Sequence, residues 1–136
     1  YPESEFMEEA NAMAQELTRK KQKKAFEIAR QFVKLGKYYT LDYNISAIAA
    51  LDNFISDHPG SVYREEAYFL RLRAASTLAE NSTPSKKKER LDNAVAAYNA
   101  FMRYYAESEF AEDARQLYAD LQEEITEFEA IQTLSK

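Results

Sequence analysis

The residues of this chain whose types could support catalysis are a single histidine and several pairs of adjacent carboxylates, with no cysteine. A catalytic histidine needs a nucleophile or an orienting carboxylate, and His58 has only Asp57 near it in sequence. It also lacks the i, i+4 partner of a helical metal site. The pairs Glu8-Glu9, Glu65-Glu66 and Glu112-Asp113 recur at predicted helix starts, where the helix dipole favours negative charge. We therefore expect no catalytic residue, metal or cofactor, and we predict that the protein is not an enzyme.

These carboxylate pairs belong to a signature of ten residues that occurs at 1–10, 58–67 and 105–114. Its first position is an aromatic residue or His, and its second is Pro or Ala. Serine follows at position 4, an aromatic residue at position 6, two acids at positions 8 and 9, and Ala at position 10, and the other positions vary. Proline stops one helix, and the serine is expected to N-cap the next. A repeated helix stop and start predicts stacked helical hairpins. We expect residues 1–136 to form one all-α domain, a tetratricopeptide-like α-solenoid of about five antiparallel helices with a long first helix.

The spacing of apolar residues predicts where the helices lie. The first should run from Glu5 to Leu35 and end at Gly36 as the C′ residue. A break within 20–24 is the alternative, but that segment contains no Gly or Pro. The apolar face of this helix is expected to comprise Phe6, Ala10, Met13, Leu17, Ala25, Ile28, Ala29, Phe32 and Val33. The other helices are expected at Leu41–Asp57, at Val62–Ala79, from Lys86 or Lys87 to Tyr105, and from Ser108 into the tail.

Two of the predicted helices resemble each other. The pattern Ala-x-x-Ala-Leu-x-x-Phe at 47–54 aligns with Ala-x-x-Ala-Tyr-x-x-Phe at 94–101, and each leads into the junction signature. Small residues at the first two positions let paired helices approach closely, and the larger ones fill the space beside them. The core of the third helix is predicted as Ala67, Leu70, Ala74, Ala75 and Leu78.

These patterns resemble a known family. Ile28, Ala29, Phe32, Gly36 and Tyr38 are spaced as in the first helix of tetratricopeptide repeats, and Ala47, Leu51, Phe54 and Pro59 fit the second helix and its stop. The junctions at 1–10 and 105–114 are similar to those of the BamD (YfiO) family, the tetratricopeptide lipoproteins of the outer-membrane β-barrel assembly machinery. The resemblance covers nearly all of the chain, although the chain corresponds only to about the C-terminal half of a member. Ala106, in place of proline, and the long loop 79–85 depart from the pattern.

The resemblance implies a non-enzymatic scaffold on the periplasmic face of the outer membrane. The expected partners are the periplasmic domain of the barrel-assembly protein and unfolded outer-membrane proteins. Membrane contact would come only through an upstream lipid anchor, because the chain starts inside a junction and is expected to be part of a longer protein. The alternatives are a generic tetratricopeptide adaptor, another periplasmic repeat protein, or an assembly module. A net charge of −5 argues against a nucleic-acid partner.

Three surfaces are candidates for partner contact. The basic run Arg19–Lys24, with Lys20, Lys21, Lys23 and Lys24, could attract an acidic surface or anionic headgroups, or it is a solvated bridge in the helix. Tyr39 and Tyr43 lie in an insertion, and tyrosine is enriched at interface hot spots. In the last helix Ile125 and Phe128 extend the apolar stripe, which suggests a partner or a homodimer. The second basic run, 86–88, lies at the predicted start of the fourth helix, where positive charge is mildly unfavourable, and a surface segment without a binding role is the favoured interpretation.

Overall fold

The computed structural model describes residues 2–38 and 40–135, and within them the chain forms five helices and no strand. These are α1 (Pro2–Tyr38), α2 (Leu41–Asp57), α3 (Arg64–Glu80), α4 (Pro84–Tyr105) and α5 (Ala111–Leu134). Each helix packs on the next across a short connection, so successive helices run antiparallel. The predicted all-α, tetratricopeptide-like fold with a long first helix is confirmed.

The helices form two layers. In the first layer α3 contacts both α1 and α5, whereas in the second layer α2 and α4 make no contact with each other within the described ranges. Both helices of the second layer pack on α3. Because neighbours are close in one layer and separated in the other, the array curves towards α1, α3 and α5. We call the surface of these three helices the concave face.

The core is centred on α3, which is buried on most of its circumference. All five residues predicted for its core are buried, and so are Tyr68, Phe69, Leu72 and Ala79. The aligned helices α2 and α4 bury their equivalent residues, Ala47 with Ala94 and Phe54 with Phe101. The largest side chains that are fully buried are Phe26, Leu51, Leu72, Leu91, Phe101 and Leu121. Small residues in α2 and α4 therefore admit the bulkier side chains of α3.

The long first helix is continuous through the basic run, as predicted, but its apolar face is not all core. Phe6, Met13 and Leu17 are exposed, with relative accessibilities of 67%, 71% and 54%. The reason is that α1 has 37 residues whereas α2, which packs along it, has only 17. At ~1.5 Å per residue, α1 is about 30 Å longer than its partner. Every side chain of residues 3–21 is exposed, and we call this segment the α1 arm.

The buried face of α1 begins at Phe26, which the sequence did not indicate. Phe26, Ala29 and Val33 are buried, whereas the predicted Ile28 is 49% exposed. The expectation that Gly36 ends the helix was wrong, because α1 continues to Tyr38 and no described glycine has a positive φ. Gly36 is instead an interior position at which α1 approaches α2 closely.

The junction serines act one turn earlier than predicted. The helices begin at Arg64 and Ala111, and neither N-cap makes a side-chain capping bond. Ser61 Oγ accepts a hydrogen bond from the N–H of Tyr63 at 3.1 Å, and Ser108 Oγ accepts the equivalent bond from Phe110 at 3.0 Å. This local bond closes a turn that precedes the helix. The N-cap prediction for these serines was therefore wrong.

The backbone of the two junctions repeats with the same offset. The N–H of Ser61 donates to the His58 carbonyl and that of Ser108 to the Tyr105 carbonyl, both at 3.0 Å. The positions lie 47 residues apart, as do His58 and Tyr105 in the signature. The sequence repeat is thus also a repeat of local structure, even though Ala106 replaces proline in the second case.

Candidate functional site: a cationic groove on the concave face

A groove of about 510 Å³ crosses the concave face between α1, α3 and α5. The α1 side presents Arg30, Val33, Lys34 and Lys37, which share one helix face at i, i+3, i+4 and i+7. The rest of the lining is Glu66, Leu70, Arg73 and Thr77 from α3 and Leu117 from α5. The groove has an apolar floor with cations along its edges.

Arg30 is held between two helices at the edge of this groove. Its Nη2 donates to Glu66 Oε2 at 2.7 Å, and its Nη1 donates to Glu27 Oε1 at 3.3 Å. The guanidinium lies 5.0 Å from the ring centroid of Phe26. These part-exposed ion pairs contribute up to about 1 kcal/mol each. Their larger effect is that Glu66, the acid in the groove lining, already has a cationic partner.

The basic residues of the lining make the groove electropositive. Lys34 and Arg73 are exposed, and the Arg73 guanidinium lies 4.8 Å from the ring centroid of Phe69. Stacking on a ring restricts where that charge lies. Lys37 also lines the groove. Four basic residues and one acid line the groove, in a protein whose net charge is −5. The positive groove is therefore a local exception to the overall charge.

A second groove, of about 400 Å³, lies on the other side of α3 between α2 and α4. Its arginines are engaged within the chain. Arg71 Nη1 pairs with Asp52 Oδ1 at 3.1 Å, and Arg90 Nη1 donates to Ser82 Oγ at 2.8 Å. With two arginines and one acid in its lining, the outer groove therefore has a smaller excess of positive charge than the concave groove, which has four bases and one acid.

The predicted basic run lies on α1 near the base of the arm and does not line either groove. Lys20, Lys21, Lys23 and Lys24 are all exposed, and Lys20 Nζ pairs with Glu16 Oε1 at 3.4 Å along the helix. Its five cations therefore form a surface separate from the concave face.

The other predicted contact residues differ in exposure. Tyr43 is half-buried and stacks on Phe32 with ring centroids 6.4 Å apart. Tyr39 lies outside the described residues. Ile125 and Phe128 are half-buried against the core, because α5 turns part of its stripe towards α3 and α4. The free part of that stripe is Ile131 and Leu134, which are 59% and 87% exposed.

The second basic run lies in the first turns of α4, as its predicted place at a helix start requires, although α4 begins slightly earlier, at Pro84. Lys87 Nζ pairs with Glu124 Oε2 at 2.9 Å and donates to the Glu80 carbonyl at 3.3 Å. Lys87 thus ties the end of α3 and the middle of α5 to the first turn of α4.

The residues considered for catalysis have structural contacts. His58 caps the C-terminus of α2, donating its N–H to the Phe54 carbonyl at 2.9 Å, and the two ring centroids are 5.2 Å apart. Of the acidic pairs, Glu66 bonds Arg30, and Glu112 pairs with Arg115 at 3.4 Å. Over the described part of the chain, no cluster of three His, Cys, Asp or Glu residues is arranged to hold a metal ion.

The groove itself was missed from the sequence. A signal existed, because Arg30, Lys34 and Lys37 follow one another at helical spacing beside Val33. That spacing places the cations on one face of α1, but it does not say that Arg73 of α3 shares the same surface. Whether Arg73 shares that surface depends on how α1 and α3 pack.

The two-layered array of antiparallel helices defines the molecule as a helical-repeat protein of the tetratricopeptide type. A profile of the YfiO family, described as outer membrane lipoprotein, matches residues 34–133. This match spans well over half of the chain, and the protein belongs to that family. Comparison with curated proteins and with solved structures gave no match. Among the described helices, none is both long enough and apolar enough to cross a membrane.

Proposed function

We propose that this chain is a non-enzymatic protein-binding scaffold that acts in β-barrel assembly at the periplasmic face of the outer membrane. The observation that carries the proposal is the family membership of a helical array whose concave face already forms a groove. Its partners are the periplasmic domain of the barrel-assembly protein and unfolded outer-membrane proteins. An upstream lipid anchor supplies the attachment to the membrane.

The packing of the array suits a scaffold role. The two helices of the groove that carry its cations are anchored in one core through Ala29, Val33, Leu70 and Ala74. A partner that binds this surface does not have to order it first, and preorganisation lowers the entropic cost of association. The chain can then position a partner without changing its own fold.

The test is a pull-down of the barrel-assembly protein's periplasmic domain from the same organism, at moderate salt, with this chain immobilised. Saturable binding supports the proposal. No binding by a chain whose helical circular dichroism is intact contradicts it and favours a generic tetratricopeptide adaptor. Such an adaptor would act on other proteins.

The basic run and the turn before α2 are proposed as contacts for this partner. Lys20, Lys21, Lys23 and Lys24 are exposed, so their reversal to Glu should leave the fold intact and weaken binding of an acidic surface. The Tyr39→Ala/Tyr43→Ala double variant tests the turn. Unchanged binding by a helical variant would remove that surface from the interface.

Self-association through α5 is a separate proposal. Ile131 and Leu134 are exposed at its end, and an apolar stripe there could pack on a second copy together with Ile125 and Phe128. Sedimentation velocity should show a dimer whose mass falls in Leu134→Asp. Phe128→Asp is a less clean probe, because that side chain also packs on its own core. A monomer at all concentrations would exclude the dimer.

A further inference from the structure

We propose that the concave groove binds an extended segment of a partner protein in which acidic side chains alternate with apolar ones. The inference rests on the proposed function only in that the chain acts by binding proteins. It names the chemistry of one partner segment and the residues that recognise it, namely Lys34 and Arg73 at the edges and Val33, Leu70 and Leu117 in the floor.

Charge is the first part of the argument. Arg30 pairs with Glu66 at 2.7 Å, and two exposed cations of the lining, Lys34 and Arg73, add positive charge beside that pair. A concave surface with an excess of one sign of charge concentrates the field and attracts the opposite sign. An acidic segment therefore matches the groove, and a basic one is repelled.

The apolar floor is the second part. Val33 and Leu70 are only 6% exposed, and Leu117 is half-buried beside them. The side chains of an extended segment point alternately to opposite sides. Such a segment can place apolar side chains on the floor while acidic ones reach the cations at the edges.

The dimensions fix the length of the segment. Packed helices lie ~8–10 Å apart, so the path from α1 across α3 to α5 is roughly 18 Å long. An extended chain covers about 3.3 Å per residue. The groove therefore holds about five or six residues.

Other polyanions fit this surface less well. The lining contains no aromatic side chain, whereas single-stranded nucleic acid is held largely by stacking on aromatic rings. A flat membrane cannot follow a concave surface between helices. The net charge of −5 repels any extended polyanion that reaches beyond the groove. A short acidic peptide segment avoids these costs.

The probe is a fluorescein-labelled peptide of about ten residues in which Glu and Leu alternate, slightly longer than the groove so that its ends do not limit contact. Titration with the 136-residue chain is followed by fluorescence anisotropy. We expect saturable binding that weakens as salt rises from about 0.05 to about 0.3 M, since the contacts are charged. Peptides that alternate Lys with Leu, or Glu with Ser, test the charge and the floor separately and should not bind.

The matched variants carry the same change in charge. Lys34→Glu/Arg73→Glu reverses two exposed groove cations and should raise Kd at least tenfold, about 1.4 kcal/mol. Lys86→Glu/Arg103→Glu reverses two exposed cations of α4, outside the groove, and should bind as the unaltered chain does. Circular dichroism establishes that both variants are helical.

Three outcomes overturn the inference. They are no binding of the Glu–Leu peptide, equal binding of the Lys–Leu peptide, or equal loss of affinity in the two matched variants. Binding to anionic vesicles or single-stranded RNA with the same sensitivity to Lys34→Glu/Arg73→Glu assigns the groove to that class instead. If peptide binding fails while the barrel-assembly domain is still retained in the pull-down, the inference fails and the proposed function stands. Failure of the pull-down itself contradicts the proposed function.

Discussion

Asn44 Nδ2 donates a hydrogen bond to the Gly36 carbonyl at 3.0 Å, and the Asn44 side chain fills the space in which a side chain of residue 36 would lie. A Cβ built at Gly36 would overlap the Asn44 Oδ1, and it would lie 2.6 Å from the Asn44 Cγ. Asn44 is 1% exposed, so its amide has little access to water. The pair fixes where α2 leaves the end of α1, directly beside the groove residues of α1.

Gly36→Ala should therefore destabilise the fold although alanine favours helices. The methyl group forces apart a buried contact, and overpacking of this kind costs typically 1–3 kcal/mol. Gly60→Ala is the matched control, since a Cβ there meets nothing within 4 Å. Thermal unfolding followed by circular dichroism should show a lower Tm for Gly36→Ala alone. Equal values for the two variants would contradict the close approach of Gly36 and Asn44.

Phe26→Ala should be one of the most damaging substitutions in α1. The Phe26 ring is 0% exposed, stacks on Tyr63 at 4.8 Å and lies 5.5 Å from the Phe54 ring. Loss of such a side chain costs about 3–5 kcal/mol. Phe6→Ala makes the same chemical change in the arm, where the side chain is 67% exposed, and should cost under about 0.5 kcal/mol. Urea unfolding measures both, and a large effect of Phe6→Ala would show that the arm is covered.

Tyr105→Phe should weaken the second junction. Arg64 Nη1 donates to the Tyr105 hydroxyl at 2.8 Å, which joins α3 to the end of α4. Without that acceptor a part-buried donor loses its partner, at a cost of about 1 kcal/mol, which lowers Tm by about 3 °C in a chain of this size. Tyr104→Phe keeps the ring that lies 4.8 Å from the Arg64 guanidinium. A smaller loss is expected for this control, and the reverse order would exclude the hydroxyl contact.

Glu80→Gln should stabilise the protein near neutral pH. Burial raises the pKa of the Glu80 carboxyl, and the nearby carboxylates of Glu124 and Asp120 raise it further, against an opposing effect of Lys87. The folded state therefore binds this proton more tightly than the unfolded state. Stability from Glu80 is present at low pH and is lost as pH rises from the unfolded pKa, about 4.3, through the raised folded pKa.

The gain from Glu80→Gln is thus expected at pH 7 and should disappear below about pH 4, where the carboxyl is protonated in both states. Thermal unfolding of the two proteins across this pH range tests it. Glu89→Gln, at an exposed position of α4, controls for the loss of one negative charge. A gain at pH 7 that persists at low pH would show that amide packing, and not the titration of Glu80, is the cause.

The class of fold could be predicted from the sequence because the motifs that end one helix and begin the next are local. Serine and paired acids occur at both later junctions, with proline at the first of these two, and α2 was predicted at its observed bounds, Leu41–Asp57. The depth of burial in α1 was not accessible in the same way. Phe6 and Phe26 both belong to helical patterns, and only the length of α2 decides that one is exposed and the other buried.

The groove, too, could be predicted from the sequence only in part. Lys34 and Lys37 are neighbours by helical geometry, but Arg73 joins them only through the packing of α1 on α3. The polar residue Asn44 was likewise missed, since nothing in its local sequence distinguishes a buried amide from a solvated one. Contacts between residues distant in the chain are the part that periodicity does not encode.

The common offset of 47 residues between the two later junctions has a consequence for the growth of the array. A chain in which residues 58–104 were duplicated in tandem would place a His58-type junction after the end of α4. Each junction could keep the serine and carbonyl bonds seen here, at Ser61 and at Ser108. The array would lengthen by one helix pair. The span of such a lengthened array would depend on how many copies of this unit it contains.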